Sequence, residues 1–189
     1  MPARPPILSR HGERNLMSTT DEPSRYRPLA GIDVGMIAMA MSNSEGGYYD
    51  PNDGSAILIM DGEALTGEDS ETDPDDLGWI PIDPVDSRDA YSEMTDFADV
   101  VTDPVLADRL TRALDGRGAF RRFRDTLAED DLYPIWARYS NALEEKRSLE
   151  WLVEMDICDP AEAVTAFQER THASARALSD IAAWHRSAP

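Results

Sequence analysis

The chain has 189 residues, a mass of 21.0 kDa and a formal net charge of −19. A single cysteine, Cys158, excludes an internal disulfide framework, and three histidines leave little for a zinc centre. No stretch approaches the ~20 apolar residues of a spanning helix, and the basic start MPARPPILSRHGERNL lacks the apolar core of a secretory signal.

Residues 1–28 hold five prolines and no apolar period, the pattern of a disordered leader, within which Met17 offers an alternative start. From Ile32, apolar residues at helical spacing (Ile32, Met36, Met39) predict a short helix ending near Ser42–Asn43. Tyr48 and Tyr49 then lead into Asp50-Pro51-Asn52-Asp53-Gly54, followed by Ile57, Leu58 and Ile59. That is a hairpin signal, with Asn52 or Gly54 able to take positive φ at little cost. Residues 68–76 read as an acidic loop. Trp79 to Ile82 read as a third strand, placed at an edge because Pro81 cannot donate to a ladder.

The remainder reads as helix. Asp86 or Ser87 caps a segment reaching Val101, with Met94 and Phe97 on one face. Asp103-Pro104 is an N-cap and first-turn pair for a helix carrying Leu106, Leu110 and Leu114, which Gly116 stops. Residues 119–130 set Phe120, Phe123 and Leu127 on a common stripe. The next helix carries Leu132, Trp136, Tyr139 and Leu143 and can continue to Met155. Asp159-Pro160 repeats the cap signal for a last helix over 160–186, whose stripe is Val164, Phe167, Leu178 and Ile181.

At Gly116 to Phe123 the sequence runs GRGAFRRF without a gap. Around it stand Tyr48-Tyr49-Asp50 near Gly54, Ile80-Pro81, Met94 with Phe97, Trp136 and Glu150-Trp151-Leu152. With these motifs, residues 32–152 resemble the bacterial family termed uncharacterised protein family 0158. The resemblance implies no activity.

Charge is distributed in blocks. Residues 1–28 carry five arginines against three acids, residues 29–105 nineteen acids against Arg88 alone, and residues 106–189 fifteen acids against twelve bases. A field of that sign repels nucleic acid and anionic lipid and attracts a basic protein face. Nucleic acid and membrane are therefore disfavoured as partners. The lone thiol fits a reducing cytoplasm.

Two clusters are candidate sites. Arg117, Arg121 and Arg124 share a helix face, with Arg122 between them. Next to Gly116 and Gly118 they could hold a phosphate or carboxylate. Pairing with the chain's own acidic middle segment is the more ordinary use of such a face. Asp69, Glu71, Asp73, Asp75 and Asp76 form the second cluster. Pro74 stands where a calcium loop needs its turn glycine, so this is read as a solvated, partner-binding surface and not a metal site. No nucleophile elbow, HExxH or CxxC pattern is present, and no catalytic residue, metal or cofactor is assigned.

The sequence thus predicts an α+β protein: a small antiparallel sheet of two or three strands packed against a helical majority. A single domain spans 29–156, and 157–189 form a C-terminal helix able to pack on it. The expected role is a non-enzymatic cytoplasmic protein-binding module with an acidic face. The competing role is a binder or enzyme for an anionic small molecule through Arg117, Arg121 and Arg124.

Overall fold

The computed structural model describes residues 25–65, 74 and 76–187, with side chains as far as Trp184. Six α-helices accompany a four-stranded antiparallel sheet. The fold is α+β, with one strand more than the sequence predicts.

Helix α1 (Val34–Ser42) opens where the Asp33 carboxylate accepts the Met36 amide at 3.0 Å. Strands β1 (Gly47–Tyr49) and β2 (Ala56–Met60) form the expected hairpin. Gly54 closes its turn at φ +85°, and a Cβ there would lie 2.2 Å from the Gly31 carbonyl oxygen. Arg27, within the segment read as a leader, clamps that turn. Its guanidinium donates to the carbonyls of Gly31, Pro51, Asn52 and Asp53.

The additional strand, β3 (Glu63–Ala64), follows a turn at Asp61-Gly62, both with positive φ. The Glu45 carboxylate holds that turn by accepting both of its amides. Strand β4 (Ile80–Ile82) pairs with β1 at the opposite edge, giving the order β3-β2-β1-β4, with Pro81 at the margin where its missing N–H costs nothing. Gly47 in β1 is where α1 meets the sheet: a Cβ would come within 2.8 Å of Ala40 Cβ and 2.4 Å of the Ile57 oxygen.

Asp86 caps α2 (Ser87–Asp99) through the Arg88 amide, and Asp103 caps α3 (Pro104–Leu114) through that of Leu106. A short turn with Gly116 and Gly118 at positive φ leads into α4 (Ala119–Glu129). Helix α5 (Tyr133–Glu154) runs 22 residues, and α6 (Pro160–Ser187) returns along it.

Two apolar clusters result. The larger joins α2, α3, α4, α5 and α6 around Phe97, Phe123, Trp136 and Tyr139, whose rings meet at 5.1–6.3 Å, mostly edge to face. The smaller lies between the sheet, α1 and the α5–α6 turn, around Ile37, Tyr49, Ile82 and Leu152. Both draw on α5 and α6.

In two places the burial departs from the predicted stripes. On α6, Val164 is exposed and the buried line runs through Ala163, Ser174, Ala177 and Ile181. Small side chains let α6 approach α5 closely, and the buried Ser174 hydroxyl donates back to the Thr171 carbonyl. On α4, Phe123 and Leu127 are buried but Phe120 is 41% exposed.

Candidate functional site

The exposed Phe120 stands on the wall of a cleft of about 440 Å³ between the two apolar clusters. Residues 41–44 with Pro84, Val85 and Ser87 form one side. Glu93 and Met94 of α2, Phe120 and Arg124 of α4, and a stripe of α5 form the rest. That stripe is Trp136, Ser140, Glu144 and Arg147, a spacing that keeps all four on one helix face.

Arg147 Nη1 donates to Glu93 Oε1, tying α5 to α2. Both side chains are largely buried, 24% and 15% exposed. Burial pushes the Glu93 carboxyl above its ordinary range; Arg147 opposes that, and the neighbouring Glu144 and Asp89 add to it. Arg147 Nε is buried without a hydrogen-bond partner. Ser140 Oγ donates to Glu144 Oε1 at 3.0 Å. Ser148, just below, donates to the Glu144 carbonyl and lies 3.9 Å from Met41 Sδ. Tyr139, in the adjoining core, has its phenol pushed up to about 12 by burial.

The predicted arginine cluster does not converge on a single point. Arg122 donates to the carbonyls of Ala113, Asp115 and Arg117, closing the α3–α4 turn. Arg121 pairs with Asp125 at 3.6 Å on the open surface. Arg117 is exposed on the turn. Of the four, Arg124 alone lines the cleft.

The expected pairing of this block with the acidic segment is absent among the described residues. Arginines of the helical half pair with that half's own acids: Arg109 with Glu129 and Asp130, Arg112 with Asp108, Arg138 with Asp180, and Arg170 with Glu145 and Glu169. Of the described acids between Asp33 and Asp103, Glu93 alone stands in an ion pair. Several others serve their own backbone as caps or turn acceptors. Asp61, Glu63, Asp76, Asp83, Asp89, Asp96 and Asp99 are exposed without one. Of the predicted acidic site residues, Asp76 is exposed in the turn before β4; Asp69, Glu71, Asp73 and Asp75 lie outside the described residues.

Among the described residues no group of His, Cys, Asp and Glu could hold a metal ion, and no helix is long and apolar enough to cross a membrane. Cys158 is buried, and its thiol is pushed up by that burial and by Glu162 and Asp159. A wider groove of about 650 Å³ between α5 and α6 is lined chiefly by apolar side chains such as Val153, Val164 and Phe167.

UPF0158 protein PA5073 of Pseudomonas aeruginosa is 30% identical to this chain over 135 residues, 69% of this chain and 86% of that protein. The chain belongs to the UPF0158 family. No family model matches it, and no solved structure does. The GRGAFRRF block, by which the UPF0158 resemblance is most readily seen, has a divided use here. Arg122 and Phe123 hold the fold, while Phe120 faces the cleft beside Arg124, the residue that follows the block. Glu93, Glu144 and Arg147 were not singled out by sequence. For Glu144 and Arg147 the signal is a polar line on α5, one step round from the core stripe, which becomes a site only when α2 brings Glu93 beside it.

Proposed function

We propose that this UPF0158 protein is a non-enzymatic, cytoplasmic binding module that engages a basic protein partner through the carboxylates of its sheet half and α2. The surface comprises Asp61, Glu63, Asp76, Asp83, Asp89, Asp96 and Asp99, with Asp69, Glu71, Asp73 and Asp75 adjoining in sequence. One observation carries the reading. Arg109, Arg112, Arg121, Arg138 and Arg170 of the helical half pair with that half's own acids, and only Arg147 reaches the acidic segment, at Glu93, so the field of that segment is left largely uncompensated among the described residues. Such a field accelerates encounter with an oppositely charged face and sets its orientation.

The test compares the parent with a variant carrying Asp83→Asn, Asp89→Asn, Asp96→Asn and Asp99→Asn, using affinity capture followed by reconstitution with the purified captured protein. The expected partner is basic, is released when salt is raised to about 1 M, where the screening length falls to about 3 Å, and is lost by the variant. Capture indifferent to both salt and substitution overturns the reading.

A further inference from the structure

The cleft between the clusters has a charge arrangement that selects its occupant. Four charged side chains line it: Glu93, Arg124, Glu144 and Arg147. Glu93 and Arg147 neutralise each other through their ion pair. Arg124, on the α4 wall, is in no ion pair, and Glu144, on α5, is hydrogen-bonded by the Ser140 hydroxyl alone. Arg124 and Glu144 therefore offer one available cation and one available carboxylate across a shared space. Around them lie the exposed ring of Phe120 and the largely buried ring of Trp136. The volume of about 440 Å³ falls in the ~300–1,000 Å³ range of small-molecule sites.

A simple anion would meet Arg124 but also two carboxylates. A polyamine would meet Glu144 but also two guanidiniums. A ligand with one charge of each sign satisfies both, and the aromatic walls ask for an apolar remainder. We propose that this cleft binds a free α-amino acid with an apolar or aromatic side chain, its carboxylate on Arg124, its ammonium on Glu144 and its side chain against Phe120 and Trp136. A guanidinium fork matches a carboxylate through two parallel hydrogen bonds. The Ser140 hydroxyl keeps the Glu144 carboxylate oriented. This site is independent of the acidic surface proposed above, and either can fail without the other.

The experiment is isothermal titration calorimetry of the full chain with the twenty common L-amino acids one at a time. Each amino acid that binds is then followed by its N-acetyl and its amide derivatives. The expected result is binding by an apolar or aromatic member, with both derivatives weaker by about tenfold or more, because each removes one of the two charges. Arg124→Gln should weaken the free amino acid and its N-acetyl derivative, which keeps the carboxylate, and Glu144→Gln the free amino acid and its amide derivative, which keeps the ammonium, by a similar factor. Arg124 is exposed and Glu144 half-buried, and circular dichroism melts verify that each variant folds. No binding by any of the twenty overturns the proposal. So does equal binding of the N-acetyl form, which would indicate a plain anion site, or binding untouched by both substitutions.

Discussion

The core among α2–α6 closes on a cluster of aromatic rings, whereas the core under the sheet closes chiefly on aliphatics, with one buried tyrosine edge-on to Trp151 and a glycine at the helix contact. The first is held by bulk: Phe97, Phe123, Trp136 and Tyr139 fill space between helices whose axes can adjust. The second is held by proximity, since α1 reaches β1 only because Gly47 has no side chain. Cores of the two kinds fail in opposite directions, the aromatic one when volume is removed and the glycine one when volume is added.

The largest effect is expected at Phe123, fully buried and in contact with two other rings. Phe123→Ala should cost about 3–5 kcal/mol in a urea titration. A loss below about 1 kcal/mol would mean that the ring cluster collapses to refill the void, and the contrast with the sheet core would fail. Next is Gly47→Ala. The added methyl meets Ala40 and the Ile57 carbonyl, so a cost of about 1–3 kcal/mol is expected, with the hairpin amides losing hydrogen-exchange protection before those of α3. The smallest effect has the opposite sign. Tyr49 Oη is buried without a hydrogen-bond partner, and burial raises its pKa. Tyr49→Phe should stabilise the protein by about 1 kcal/mol, read as a higher midpoint with unchanged slope. Destabilisation would mean that the hydroxyl has a partner.

What the sequence disclosed follows the range of the interactions concerned. The caps at Asp86 and Asp103, the turn closed by Gly54 and the edge position of Pro81 were legible because each is settled within about four residues of chain. Strand β3 was not, because two residues carry no alternation and the turn before it is held by Glu45 from another segment. The α6 stripe was predicted through Val164, which is exposed; the buried line instead takes in Ser174, whose hydroxyl is satisfied by its own helix and so is buried at little cost. Phe120 has the spacing of a core residue, and periodicity does not distinguish a core from a cleft wall. The same limit hid Glu93 and Arg147, which are 54 residues apart and become neighbours only through packing.

Helix α5 supplies Trp136 and Tyr139 to one core and Leu152 to the other, while its intervening turns line the cleft. At about 1.5 Å per residue its 22 residues make a rod of roughly 33 Å. It acts as a crossbeam: a tilt imposed at either end must be transmitted through the wall that carries Ser140, Glu144 and Arg147. The wall of the cleft and the seat of the sheet half are thus built on one continuous rod.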